Sequence, residues 1–133
     1  MSADVFISHS TQDKDVADRM CAFLESRGLR CWIAPRNIKV GSDWGAGIMD
    51  GISSSRAMVL ILSSRSNDSE SVKDEVAQAV NRSLPIIPFK IEDVVLSGFM
   101  ELNLRRRQWQ NAIAGSLEEH FQQLGGFATH STK

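Results

Sequence analysis

Short apolar runs alternate along the chain with segments in which apolar residues recur every three or four positions. The runs predict five strands, at residues 5–7, 29–33, 58–62, 85–89 and near 108–109. The segments with helical spacing predict helices at 16–24, 44–52, 69–80 and 113–124. Residues 91–104 follow neither pattern, so their structure is left open.

A strand followed by a helix, repeated about five times, indicates a parallel sheet with helices on both faces. The run 58–62 is apolar throughout, as in a central strand that is buried on both sides. Pro85 and Pro88 place the next strand near an edge, because proline has no N–H for the ladder. Such sheets bind ligands beyond the carboxyl ends of their strands. Candidate chemistry is therefore sought in segments 8–11, 34–44, 63–75 and 90–93.

Composition narrows the possible classes of function. The 133 residues are enough for one domain, and a formal net charge of -1 offers no field that would attract nucleic acid. We find no secretory leader and no apolar run near the roughly 20 residues that span a bilayer, so a cytoplasmic protein without membrane contact is expected. Cys21 and Cys31 match no metal-binding or disulfide spacing, and no metal site is expected.

Several common nucleotide and hydrolase sites are absent from the sequence. Ser8-His9-Ser10 follows the first strand, where a dinucleotide-binding domain has its glycine-rich turn. Neither a phosphate-binding loop nor the Gly-x-Ser-x-Gly turn of serine hydrolases occurs. A phospho-accepting receiver domain needs acidic residues after strands one and three, where this chain has Ser8-His9 and Ser63-Ser64.

One carboxylate, Glu75, lies where a helical wheel predicts partial burial. With Val72 in the apolar stripe, Glu75 falls on its flank, about 60° away, and Ser71 lies on the same side one turn earlier. Glu70 and Asp74 fall on the opposite, solvated side. A shielded carboxylate near the ligand crevice is suited to act on a substrate, although the plainer interpretation is a glutamate that pairs with a neighbouring Lys or Arg. The helical wheel leaves both interpretations open.

Several segments, taken together and in order, resemble Toll/interleukin-1 receptor (TIR) domains. Residues 4–10 with Asp13 resemble the first strand and its loop, and residues 28–38 resemble the second strand and the BB loop of bacterial members. The pattern Ser69-x-x-Val72-x-x-Glu75-Val76 resembles the helix that carries the catalytic glutamate of TIR enzymes. The later strands also match. The resemblance covers residues 4–124, and residues 125–133 are expected to form a polar, flexible tail.

The resemblance implies a flavodoxin-like fold with a five-stranded parallel sheet, and one of two roles. Many bacterial members cleave the nicotinamide–ribose bond of NAD+ and give ADP-ribose or a cyclic isomer, often in anti-phage defence. In that role NAD+ is the substrate, Glu75 is the catalytic residue, and neither a cofactor nor a metal is required. The alternative is a non-enzymatic module, either a signalling adaptor or a virulence mimic, that binds other TIR domains.

The same resemblance implies the residues that surround the substrate, namely Phe6, Ser8, His9, Ser10, Trp32, Arg36, Trp44 and Ser71. Some TIR enzymes have Trp four residues before the glutamate, where this chain has Ser71. An aromatic wall would then come from Phe6, Trp32 or Trp44, although the first two could equally be core residues. Arg36 could meet a phosphate, a neighbouring subunit or solvent.

The family also implies how the domain is activated. Its members stack so that one BB loop, here residues 34–44, closes over the site of the neighbour. Self-association through this loop is therefore expected, together with a fused or separate sensor domain. Nucleic acid and membrane are not expected as partners.

Overall fold

The computed structural model describes residues 3–131, with side chains from 3 to 126. The strands are β1 (Ala3–Ser8), β2 (Cys31–Trp32), β3 (Ser55–Leu62), β4 (Ile86–Lys90) and β5 (Gln110–Asn111). A 3-10 turn at Thr11–Asp13 precedes the first helix. The helices are α1 (Lys14–Ser26), α2 (Trp44–Ser54), α3 (Ser64–Asn67), α4 (Glu70–Asn81), α5 (Gly98–Leu104) and α6 (Leu117–Ser131).

The five strands form one parallel sheet in the order β2-β1-β3-β4-β5. This arrangement confirms the predicted flavodoxin-like fold. β1 pairs with β3 along its length, with Phe6 opposite Met58 and Ser8 opposite Leu60. The chain therefore leaves β1 toward β2 on one side and returns to β3 on the other. Strand order reverses at the carboxyl end of β1, which is where a ligand crevice is expected.

Alternate residues of the central strands pack on opposite faces of the sheet, because successive side chains of a strand point in opposite directions. On β3, Val59 and Ile61 join the core beneath α1 and α6. Met58, Leu60 and Leu62 join the core beneath α2, α4 and α5. Residues 57–62 are all fully buried, which confirms the prediction of a central strand.

Two of the predicted helix starts are confirmed by their caps. The Asp43 side chain accepts a hydrogen bond from the Ala46 N–H at the start of α2, and Ser69 accepts one from the Val72 N–H at the start of α4. Both residues satisfy a backbone donor that the first turn of a helix leaves unpaired. These caps set where α2 and α4 begin on the same face of the sheet.

Other predicted boundaries were wrong. β2 has two paired residues instead of five, although Leu29 and Ile33 on either side of it are buried. β5 starts at Gln110, two residues later than expected. The prediction that β4 lies near an edge is confirmed, because its outer neighbour β5 is the edge strand and pairs only with Phe89 and Lys90, beyond Pro88.

The last helix also differs from the prediction at both ends. α6 begins at Leu117, after Ser116 accepts a hydrogen bond from the Glu119 N–H, so Ile113 lies outside the helix and is exposed. Gly125-Gly126 do not end the helix, which continues to Ser131. The proposed boundary at residue 124 therefore falls inside a helix, and the flexibility of residues 125–133 stays a prediction, with 132–133 outside the described residues.

α3 and α5 were not predicted, because four and seven residues are too few to show helical spacing. Within the part of the chain that the structure describes, no helix is long and apolar enough to cross a membrane.

Candidate functional site

Ser8 and Glu75 meet at the carboxyl end of the sheet. Ser8 is the last residue of β1, is fully buried, and lies two residues after Phe6 on the face covered by α2 and α4. Its hydroxyl donates a hydrogen bond of 2.7 Å to Oε1 of Glu75, which lies on α4. The contact joins residues 67 positions apart and holds the carboxylate above the point where strand order reverses.

Glu75 is half-buried, while Glu70 and Asp74 on the same helix are exposed, as the helical wheel predicts. Burial raises the pKa of the Glu75 carboxyl to about 7, because removal from water disfavours the charged form. The hydrogen bond from Ser8 acts in the opposite direction, and the nearby charge of Asp74 adds a smaller increase. The carboxylate therefore changes its charge near neutral pH.

Two adjoining cavities share Glu75 in their walls. One has a volume of about 270 Å³ and opens between the end of β1 and the loop that follows β2. The other, of about 360 Å³, lies between α2 and α4. Four residues line both cavities, and they are Trp44, Ile48, Ser71 and Glu75. A ligand that extends to both sides of the carboxylate would therefore find room on each side.

The walls of the smaller cavity come from three parts of the chain. Phe6 forms part of its floor, and Trp44, which is 57% exposed, stands at the start of α2. His9 joins two of these parts, since its Nδ1 lies 2.7 Å from the Ser10 carbonyl oxygen and its Nε2 lies 3.3 Å from that of Ala34. The imidazole therefore ties the end of β1 to the start of the loop 34–44.

The structure brings most of the predicted site residues together. Phe6, His9, Trp44 and Ser71 line the smaller cavity with Glu75, and the Ser8 hydroxyl touches the Glu75 carboxylate. Of the residues weighed as an aromatic wall, Phe6 and Trp44 stand at the cavity.

Three predicted site residues lie elsewhere. Trp32 does not line either cavity but stacks beneath Phe6. Arg36 forms two hydrogen bonds, of 3.0 and 2.8 Å, with the carboxylate of Glu25 on α1. The Ser10 hydroxyl is buried and donates to Asp13 instead of facing a cavity. Trp32 thus takes the core position that the sequence left open, whereas the partners of Arg36 and Ser10 were not indicated by the sequence pattern.

Asp13 organises the loops beside the site and was noticed in the sequence only through the family resemblance. Its carboxylate is 3% exposed and accepts hydrogen bonds from the Ser10 and Ser63 hydroxyls and from the Arg65 guanidinium. Burial opposes ionisation, but these donors hold the pKa of Asp13 below its usual range. The ionised carboxylate therefore joins the segments that follow β1 and β3.

Ile48 lines both cavities and Lys14 lines the smaller one, although neither was predicted to. Ile48 lies one turn after Trp44 on α2, so helical spacing from that residue would have found it. Lys14 is the first residue of α1 and forms an exposed ion pair with Asp18, at 2.6 Å. It adds a cation to the lining of the smaller cavity.

The chemistry available here is that of a carboxylate beside hydroxyl, aromatic and cationic groups. Among the described residues, no group of three metal-ligating side chains lies at these cavities. A carboxylate in a shielded cleft can accept hydrogen bonds from sugar hydroxyls and oppose a positive charge that develops on a bound ligand. It can do so only while it is ionised.

The fold and the site define a flavodoxin-like α/β domain with a half-buried carboxylate at the crevice beside its first strand. Residues 5–124 match the protein family described as TIR domain, and the chain belongs to that family. A search of curated proteins found no match.

Solved structures with the same fold come from proteins of different roles. The TIR domain of the Toll-related receptor TRR-2 from Hydra magnipapillata superposes with a TM-score of 0.69 at 20% identity, over 81% of this chain and 84% of that one. The TIR domains of the activated Roq1 resistosome give 0.73 at 18% identity, over 92% and 97%. The CMP N-glycosidase BcmB from Clostridium botulinum gives 0.67 at 16%, over 92% and 98%.

Proposed function

We propose that this TIR domain cleaves the nicotinamide–ribose bond of NAD+ and releases ADP-ribose or a cyclic ADP-ribose isomer. The observation that carries the proposal is the Glu75 carboxylate, which is half-buried, held by Ser8, and shared by two adjoining cavities. A dinucleotide has parts that extend to both sides of the bond to be broken, and the two cavities suit such a shape.

Glu75 acts on the ribose. Nicotinamide in NAD+ is a cationic leaving group, so its departure needs no general acid. The bond to the ribose breaks with its electron pair going to nicotinamide, and positive charge develops on the ribose ring. An ionised carboxylate on that face stabilises the charge and accepts hydrogen bonds from the ribose hydroxyls. Attack by water gives ADP-ribose, and attack by the adenine gives a cyclic product.

The raised pKa of Glu75 is compatible with this role and gives it a pH dependence. With a pKa of about 7, the carboxyl of the free domain is ionised in about half of the molecules at neutral pH. A bound cationic ring favours the ionised form, since an opposite charge nearby lowers the pKa of a carboxyl. We therefore expect the activity of the free enzyme to rise with pH on passing through about 7.

The structural relatives support this class of reaction without deciding it. BcmB, which has the same fold, is named as an N-glycosidase that acts on CMP. TRR-2 is a receptor. At 16–20% identity these likenesses concern the fold, so the proposal depends on the Glu75 site.

We also propose that the domain becomes active on self-association through the loop 34–44, as a cytoplasmic part of anti-phage signalling that is fused or coupled to a sensor. Val40 in this loop is fully exposed, and Trp44 at its end is more than half exposed, so the loop presents apolar surface to a neighbour. Roq1, a structural relative, is described in an assembled resistosome.

The test is NAD+ consumption at high protein concentration, with the products identified by chromatography and mass spectrometry. Glu75→Gln should lower turnover by at least about 100-fold, since it removes the charge that faces the developing cation. Glu70→Gln is the matched control, because this glutamate lies on the same helix but is exposed. Equal turnover in both variants would overturn the assignment of Glu75.

A non-enzymatic interaction module is the second candidate, and the exposed apolar residues of the loop 34–44 favour it. It predicts self-association with no loss of NAD+, even at concentrations that drive assembly. Val40→Asp should abolish association in both cases. If the wild type consumes NAD+, the same substitution should also lower its turnover, because activity then depends on association through this loop.

A further inference from the structure

Two cysteines and a glutamate come together at a place that shares no lining residue with the Glu75 cavities. Cys21 and Glu25 lie one turn apart on the same side of α1, and Cys31 is the first residue of β2. The two Sγ atoms and a carboxylate oxygen of Glu25 all lie within 4.8 Å of one another. Each atom belongs to a group that binds transition metals.

The cluster lies beside a cavity of its own, with a volume of about 470 Å³, in which Glu25, Cys31 and Arg36 form part of the wall. The thiols of Cys21 and Cys31 are buried, at 4% and 6% exposure, while Glu25 is exposed. A small ion can therefore approach the cluster from the side that Glu25 and Cys31 line, while Cys21 lies behind them and away from solvent.

Arg36 supplies a positive charge beside the cluster. Its guanidinium donates to both carboxylate oxygens of Glu25 and to the Cys31 carbonyl oxygen, at 2.9 Å for the last contact. These contacts place a positive charge directly beside the Glu25 carboxylate, with 2.8 Å between the Arg36 and Glu25 side chains. Two thiolates, a carboxylate and a divalent cation have a net charge of minus one, which the guanidinium balances.

We propose that Cys21, Glu25 and Cys31 form a binding site for Zn²⁺, with water as the fourth ligand. Thiolate sulfur with one carboxylate oxygen is a donor set that Zn²⁺ accepts, and hard cations such as Mg²⁺ do not prefer it. In a tetrahedral site with bonds of about 2.3 Å, the ligand atoms are about 3.8 Å apart. To bind the metal, the separations between the three ligand atoms therefore need to shorten by about 1 Å at most. Each thiol releases its proton to solvent as its S–Zn bond forms.

This proposal is independent of NAD+ cleavage and is tested without an activity assay. The reduced, metal-free protein is titrated with Co²⁺, which replaces Zn²⁺ and reports sulfur ligands through a thiolate-to-cobalt charge-transfer band. Zn²⁺ is then added to displace the Co²⁺. The expected result is saturable one-to-one binding, a charge-transfer band, and loss of that band when Zn²⁺ is added.

Three variants assign the ligands. Cys21→Ser and Cys31→Ser should each reduce the charge-transfer band, and Glu25→Gln should weaken Zn²⁺ binding by at least about tenfold while the band remains. Asp18→Asn is the matched control on α1, because its carboxylate is exposed and paired with Lys14. It should bind Zn²⁺ as the wild type does.

Absence of saturable binding, or a Co²⁺ complex without the charge-transfer band, would overturn the proposal. The same holds if Glu25→Gln and Asp18→Asn bind Zn²⁺ equally well. If a cysteine variant fails to fold, as circular dichroism would show, the wild-type band and the glutamate variant still decide the question. Glu25 is exposed, so its substitution leaves the core intact.

Discussion

The rings of Phe6 and Trp32 stack in parallel on the α2 side of the sheet, with 4.9 Å between their centroids and 8° between their planes. The two residues are directly opposite each other on paired strands. Gly51 of α2 also lies against the indole, and a Cβ atom added to the glycine would come within 2.5 Å of the ring. The stack thus connects the helix that carries Trp44 to the floor of the smaller cavity.

Gly51→Ala should therefore destabilise the domain by about 1–3 kcal/mol, because the added methyl group forces the indole or the helix to shift. Gly45→Ala is the control in the same helix, since the nearest atom to its added carbon lies 3.9 Å away. That variant should be neutral or more stable by up to about 1 kcal/mol. Urea denaturation of both variants measures the difference, and equal stability would contradict the proposed clash.

Ser8→Ala should raise the pKa of Glu75 further, because the hydrogen bond from Ser8 favours the charged carboxylate. A hydrogen bond to a charged group contributes about 1.5–3 kcal/mol, which corresponds to at least about one pKa unit. The pH profile of NAD+ turnover should therefore shift to higher pH, with activity partly recovered in alkaline buffer.

A loss of activity that is equal at all pH values would contradict this positioning role for Ser8. Ser71→Ala is the control, since Ser71 lines the same cavities but forms no hydrogen bond with Glu75. Its profile should keep the midpoint of the wild type.

Glu75 should make the domain less stable as pH rises. Its pKa is about 7 in the folded state against an ordinary value of 4.5, so the folded state binds more protons between these two values. The free energy of unfolding should therefore fall on going from about pH 4.5 to about pH 7, by up to about 3 kcal/mol.

Glu75→Gln removes this contribution and should be more stable than the wild type at about pH 8. Urea denaturation of both proteins over a pH series gives the difference directly, because other titrating groups are common to both. A difference in stability that does not change with pH would mean that folding does not raise the pKa of the Glu75 carboxyl.

Asp13→Asn should lower stability by about 2–3 kcal/mol, because it removes the charge that accepts hydrogen bonds from Ser10, Ser63 and Arg65. Asp15→Asn, at an exposed position on α1, should change stability by less than about 0.5 kcal/mol. Thermal denaturation of the two variants tests the comparison. Equal melting temperatures would show that the Asp13 network contributes little.

Local pattern in the sequence determined the parallel α/β architecture. The apolar run of β3 marks that strand by itself, and Asp43 and Ser69 each cap the helix that directly follows them. Local pattern also determined the partial burial of Glu75, because its position relative to the apolar face of its own helix decides how far it is buried. Boundaries were predicted less well where pairing or capping by a neighbour decides them. β2 is short because it is an edge strand with one partner, and α6 begins only where Ser116 caps it.

Only the tertiary structure decided which distant side chains meet. Ser8 and Glu75 are 67 residues apart, and Arg36 pairs with Glu25 instead of facing the site. Cys21 and Cys31 have no recognisable metal-binding spacing, yet the packing of α1 on β2 places them together. Such contacts depend on how helices and strands pack across the whole domain, whereas periodicity records only which face of each element is buried.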